Sequence, residues 1–139
     1  MAEVSELERM LRGASLRITR PRLAVLGAVH AHPHADTQSL LGAVRGELSD
    51  VSQAAVYEVL NALTEAGLVR RIQPQGTVAR YESRTGDNHH HVICRACGVI
   101  ADVDCAVGAA PCLDPSDGHG FVIDEAEVVY WGVCPTCQS

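Results

Sequence analysis

The sequence predicts an α+β chain in two parts, helices first and short strands after, and three observations carry that expectation. Apolar residues recur at helical spacing from Val4 to Leu63 and at alternate positions from Leu68 onward, so the period changes from 3.6 to 2 around Gly67. All six cysteines, at Cys94, Cys97, Cys105, Cys112, Cys134 and Cys137, fall in the last third of the chain. Charge divides the same way: residues 1–84 hold ten arginines against nine acidic residues, whereas residues 85–139 hold one arginine against eight.

The elements follow in order. Val4, Leu7, Met10 and Leu11 form the apolar stripe of a first helix, with Gly13 expected at a left-handed cap. Thr19 is placed to cap a second helix, Pro21 sits in its first turn where a missing N–H is harmless, and Leu23, Val25, Leu26 and Val29 form its buried stripe as far as Pro33. Asp36 caps a third, with Leu40, Leu41 and Val44 inward. Ser52 caps a fourth, carrying Ala55, Val56, Val59, Leu60 and Leu63 inward and closed by Gly67. Leu68–Ile72 and Val78–Glu82 then flank Pro74-Gln75-Gly76, a hairpin signal. Three or four helices followed by a two-stranded ribbon describe a winged helix; a generic helical domain with a hairpin fits the same pattern. The polar turn at residues 84–88 is the expected hinge between residues 1–83 and 89–139. Past it, His89–Arg95, Val99–Val103, Phe121–Asp124 and Val128–Val133 are short-strand candidates. Pro111, Pro115 and three glycines between Gly108 and Gly120 argue against a long helix there.

Neither a basic leader followed by an apolar run nor a membrane-length apolar stretch is visible, so the expected compartment is the cytoplasm, with no membrane partner. Thiols there are kept reduced, and paired cysteines are better read as metal ligands than as disulfides. The net charge of −6 argues against a nucleic-acid partner only until its distribution is considered, because the first part is net positive. The chain has no lysine, so every cationic contact falls to arginine, which suits bidentate phosphate and guanine recognition.

Cys94-x-x-Cys97 and Cys134-x-x-Cys137 are the strongest local signal. Each spacing lets a tight turn aim two thiolates at one point, and two such knuckles complete a closed tetrahedral site for a structural Zn(II). The 36 residues between them suggest different hairpins clamped by the metal. A thioredoxin-like redox pair is the weaker alternative. Cys105 and Cys112 match neither knuckle and are read as small buried apolar residues. In Asn88-His89-His90-His91, alternate side chains share a strand face, so His89 and His91 can converge on one ion while His90 turns away. Glu82, Asp102 and one of His30, His32 and His34 are candidates to complete that site. The mixed nitrogen and oxygen donors suit iron(II), manganese, nickel or zinc. A solvated histidine cluster on an edge strand is the alternative.

Several stretches together resemble the ferric uptake regulator family over nearly the whole chain, within it the actinobacterial branch that controls catalase-peroxidase genes. They are Arg17-Ile-Thr-Arg-Pro-Arg22, Ala31-His-Pro-His-Ala-Asp36, Ser52-Gln-Ala-Ala-Val-Tyr-Glu-Val-Leu60, Gly67-Leu-Val69, Arg80-Tyr-Glu82, His89 to Gly98 and Tyr130-Trp-Gly-Val-Cys-Pro-Thr-Cys137. The resemblance implies an N-terminal winged-helix DNA-binding domain, a hinge and a C-terminal α/β dimerisation domain, working as a homodimeric repressor on a palindromic double-stranded operator. It implies a regulatory Fe(II) or Mn(II) at the hinge held by His32, Glu82, His89, His91 and Asp102. It further implies peroxide sensing by metal-catalysed oxidation of a ligand histidine, since aspartate at the position of Asp102 goes with peroxide reactivity in this family. An iron-responsive repressor without peroxide sensing is the alternative.

With the fourth helix in the major groove, Ser52, Gln53 and Tyr57 are the base-reading candidates, and Arg17, Arg20 and Arg22, with Arg70, Arg71 and Arg80 on the wing, the phosphate candidates. Where the family usually reads Thr-Val-Tyr-Arg, this chain reads Ala55-Val-Tyr-Glu58. It also has Ala126 where a further family metal site often has a histidine, and it is not expected to form the family's long dimerisation helix after Cys105. A zinc hydrolase and a zinc-ribbon adaptor are the rivals from other classes, but the sequence offers no general-base motif or substrate pocket.

Overall fold

Among the described residues, three of the four α-helices begin at a side chain that does the capping. Thr19, Asp36 and Ser52 are extended and accept from the backbone N–H three residues on: Arg22 N to Thr19 Oγ1 at 3.2 Å, Ser39 N to Asp36 Oδ1 at 2.8 Å and Ala55 N to Ser52 Oγ at 3.0 Å. Each satisfies an orphan donor of the first turn and contributes about 1 kcal/mol. They open α2 (Arg20–Ala31), α3 (Thr37–Arg45) and α4 (Gln53–Glu65), after an α1 (Val4–Gly13) whose Glu3 makes no side-chain cap.

The computed structural model describes residues 3–74, 77–83, 89–104, 118–122 and 128–138, with His89 and Asp104 by backbone alone. The expected hinge at 84–88, Cys105, Cys112 and Ala126 lie outside the described residues. The chain divides into two units, Met1–Thr85 and Gly86–Ser139.

In the first unit, Val25, Leu26 and Val29 of α2 meet Leu40, Leu41 and Val44 of α3 and Val56, Leu60 and Leu63 of α4, with Leu7 and Leu11 of α1 completing the core. Burying each large aliphatic side chain contributes about 1.5–3 kcal/mol. α4 ends at Gly67 in the left-handed region (φ 77°), with Leu68 N bonded to Leu63 O and Gly67 N to Thr64 O. α1 ends by the same two-bond pattern, but there Ser15 (φ 60°) takes the left-handed position expected of Gly13, which remains helical. Leu16, packed on the core and bonded through its N–H to Leu11 O, fixes that exit in place of a glycine.

The ribbon is shorter than the apolar alternation suggested and has a third strand. β2 (Arg70–Ile72) pairs antiparallel with β3 (Arg80–Glu82), and β3 pairs on its other edge with the two-residue β1 (Ala35–Asp36), in the order β1-β3-β2. Tyr81, opposite both Ala35 and Arg71, turns into the helical core. This arrangement is a winged helix.

In the second unit β4 (His89–Cys94) lies between β5 (Ile100–Asp104), antiparallel, and β6 (Val129–Gly132), parallel. As the central strand, β4 has both edges paired, and since successive side chains point to opposite faces, the burial of His90 and His91, with Ile93 and Cys94, shows that both of its faces are covered. The solvated cluster on an edge strand is therefore excluded for His90 and His91. The strand expected at Phe121–Asp124 does not begin as one: Phe121 and Val122 are outside any strand and strongly exposed, and Ile123 and Asp124 lie outside the described residues.

Candidate metal centres and nucleic-acid interface

The β4–β5 turn and the segment after β6 bring the two cysteine knuckles together. β4 and β6 run parallel with Cys94 opposite Gly132, so both knuckles leave the same end of the sheet. Gly98, at φ 80°, closes the first turn with its N–H on Cys94 O. A short 3-10 helix, Pro135–Gln138, carries the second. The four sulfur atoms lie within 4.8 Å of one another. Cys97 Sγ and Cys134 Sγ are 3.8 Å apart, too far for a disulfide and equal to the edge of a tetrahedron with metal–sulfur bonds of about 2.3 Å. Backbone N–H groups, first that of Cys134 at 3.3 Å and then that of Cys97, pull the Cys94 thiol down to about 6. Hydrogen bonding to Cys134, then to Cys97 and Cys94, pushes Cys137 up to about 12. Four thiols this close cannot all ionise without a cation among them, and the donor set fits Zn(II) with no open position.

The histidine and carboxylate candidates form one pair in each unit. In the second, His91 and Asp102 are cross-strand partners of β4 and β5, with Nε2 and Oδ1 3.4 Å apart and the imidazole fully buried. His89 lies in the same strand, opposite Asp104. In the first, Glu82 closes β3 almost wholly buried, and the histidine facing it is His34, whose Nε2 is 3.2 Å from Glu82 Oε2. The sequence resemblance had pointed to His32. His32 instead ends α2 as an exposed cap residue (φ −128°, ψ 75°), bordering a cavity of about 490 Å³ lined by α1, α2 and α3 residues such as Val4, Leu23 and Ala43. Past Pro33 the chain turns through His34 in the left-handed region (φ 65°), which places its imidazole at the end of β3. That conformation costs a non-glycine residue about 1–2 kcal/mol. His30 stays on α2, its imidazole lowered in pKa by burial. Nitrogen and hard oxygen donors in these pairs suit Fe(II) or Mn(II) rather than a thiolate-selected ion.

On α4, Gln53, Tyr57 and Asn61 recur every fourth residue and are all exposed, forming one stripe along the helix. Asn61 was not among the sequence candidates, though the four-residue step from Gln53 through Tyr57 leads to it. Ser52 is exposed, but its hydroxyl is engaged as the cap. Arg17 and Arg20 are exposed, whereas Arg22 donates from Nη1 to Arg17 O at 2.7 Å, clasping the start of α2. Arg71 bonds Gln73 on the wing. The single arginine of the second part, Arg95, lies over the Trp131 ring at 5.3 Å from its centroid.

A winged helix with an exposed polar stripe on its fourth helix, in a chain that also holds thiolate and imidazole–carboxylate clusters, defines a metal-dependent DNA-binding transcriptional regulator. Residues 13–128 match the ferric uptake regulator family, and the chain belongs to that family. It is 68% identical over 138 residues to Transcriptional regulator FurA of Mycobacterium tuberculosis, covering 99% of this chain and 94% of that relative. Its fold is similar to the Helicobacter pylori ferric uptake regulator Fur, for which three functional metal-binding sites are described, with a TM-score of 0.73 at 18% identity over 100% of this chain and 98% of the other. It is also similar to the Campylobacter jejuni peroxide stress regulator, with a TM-score of 0.66 at 25% identity over 99% and 100% of the two chains. The relatives are regulators, so the hydrolase alternative is set aside. Among the described residues no helix is long and apolar enough to cross a membrane.

Proposed function

We propose that this chain is a cytoplasmic, peroxide-sensing repressor of oxidative-stress genes, including catalase, acting as a homodimer on a palindromic operator. The observation that carries the reading is the His91–Asp102 pair, an imidazole and an aspartate fixed opposite each other by strand register. The likeness to a peroxide stress regulator supports it. Zn(II) belongs to Cys94, Cys97, Cys134 and Cys137, where it clamps β4 and β6 together at one end of the sheet.

The regulatory ion, Fe(II) or Mn(II), belongs to Glu82, His91 and Asp102, with His89 and one imidazole from Ala31-His-Pro-His34. When bound, Fe(II) supplies the one-electron reduction of peroxide that damages an adjoining imidazole. The chain's own residues do the rest. Glu82 and Arg80 lie on the same short strand as Tyr81, which is locked into the helical core, so ligands held by β3 fix the wing against the helices. Binding free energy is available only to the state in which these donors meet on the ion, and it selects that state as the DNA-competent one.

On DNA, Gln53, Tyr57 and Asn61 read base edges, while Arg17 and Arg20 contact phosphates. The test is operator binding by gel shift with the anaerobic protein loaded with Fe(II), Mn(II) or Zn(II), each with and without peroxide. Release of the Fe(II) form alone by peroxide is the expected result. If all three forms respond only to metal removal, the protein is an iron-responsive repressor instead.

A further inference from the structure

Resting on that regulatory-ion reading, we propose that His34, rather than His32, is the imidazole ligand that the winged-helix unit gives to the regulatory metal. Three independent features of the fold converge on His34. Its Nε2 is 3.2 Å from Glu82 Oε2, and both side chains are nearly buried, at 11% and 2% exposure. Its backbone is held on both sides by β3, with its N–H on Tyr81 O at 3.0 Å and its carbonyl accepting from Arg80 Nη1 at 3.0 Å. It also occupies the left-handed region without being a glycine.

A buried imidazole–carboxylate pair is by itself a weak source of stability, because desolvation offsets the attraction. The strained backbone is therefore not explained as a stabilising device. Strain of this kind collects at ligand clamps, where a side chain must be delivered to a fixed point. A donor already immobilised before binding also loses little freedom when the ion arrives. None of this applies to His32, an exposed helix-cap residue on the cavity formed with α1 and α3.

The experiment uses the full chain with zinc retained on the four cysteines, and Co(II) and Mn(II) as probes added without oxygen. His34→Cys should add a thiolate-to-cobalt charge-transfer band that neither the wild type nor His32→Cys shows. His34→Ala should lower Mn(II) affinity by about tenfold or more with zinc content and circular dichroism unchanged, while His32→Ala changes it by less than about threefold. A charge-transfer band in His32→Cys but not in His34→Cys would overturn the assignment, as would Mn(II) affinity lost in His32→Ala and kept in His34→Ala. If His91→Ala and Asp102→Ala also leave Mn(II) and Co(II) binding unchanged, the regulatory site itself fails, an outcome distinct from a wrong choice of histidine.

Discussion

Arg80 donates from Nη1 to the backbone carbonyl of His34, so the strand that ends in Glu82 also grips the histidine facing that carboxylate. If His34 holds the regulatory ion as proposed, this engagement makes Arg80 a positioning residue for that ligand. Arg80→Ala is expected to lower Mn(II) affinity by roughly tenfold, the usual effect of removing a group that orients a ligand. The slope of operator affinity against salt should stay as in the wild type. A slope reduced by about one unit, measured by gel shift across a salt series, would instead place Arg80 on a phosphate.

Asp102→Glu keeps a carboxylate opposite His91 but lengthens it by one methylene. The variant is expected to retain Mn(II)-dependent operator binding within about threefold, while release of the Fe(II) form by peroxide slows by about tenfold or more. Release kinetics followed by fluorescence anisotropy check this. Unchanged kinetics would remove Asp102 from the sensing chemistry.

Cys97→Ser takes one ligand from the sulfur site, and zinc content should fall from about one per chain to near zero. A strong chelator acting on the wild type should have the same effect. Loss of zinc should unfold the β4–β5–β6 unit, seen as loss of the Trp131 signal, while the helical transition of the winged helix persists because its core contains none of these cysteines. A zinc-free protein with Trp131 still ordered would show the clamp to be dispensable.

Tyr57 and Asn61 share one exposed stripe of α4, whereas Arg20 stands at the start of α2. Tyr57→Ala and Asn61→Ala should each cost about 1–3 kcal/mol on the operator and little on random DNA. Arg20→Ala should weaken both and lower the salt slope by about one unit. Equal losses on operator and random DNA for Asn61→Ala would take it off the base edges.

Asp36 accepts from the Ser39 N–H, and that bond holds its carboxyl below the ordinary aspartate range. A depressed folded value means that the stabilisation is present above the unfolded pKa of about 4 and is lost as pH falls through the folded one. Asp36→Ala should therefore cost about 1 kcal/mol in urea unfolding at neutral pH, a difference that fades in acid. A difference that persists unchanged in strong acid would show that the cap works without its charge.

What could be read directly from the chain was local. Thr19, Asp36 and Ser52 were legible as caps because each acts over three residues, and the knuckles because two residues separate their thiols. Features set by distant partners were not. β1 is two residues long and exists only because Ala35 and Asp36 find Tyr81 and Arg80 across the sheet. That His34 rather than His32 faces Glu82 depends on a left-handed turn after Pro33, which alternation and motif matching do not reveal. Ser15 displaced Gly13 because Leu16 had a core to reach.

The parallel register of β4 and β6 has a kinetic consequence. Parallel neighbours cannot be joined by a tight turn, and Cys94 Sγ meets the Cys134 N–H across 40 positions of sequence. The entropy of closing so large a ring must be met before any ladder bond rewards it, which makes such pairing intrinsically slow. An ion that chelates the knuckles early shortens that search, so the pace at which newly made repressor matures follows the cell's supply of zinc.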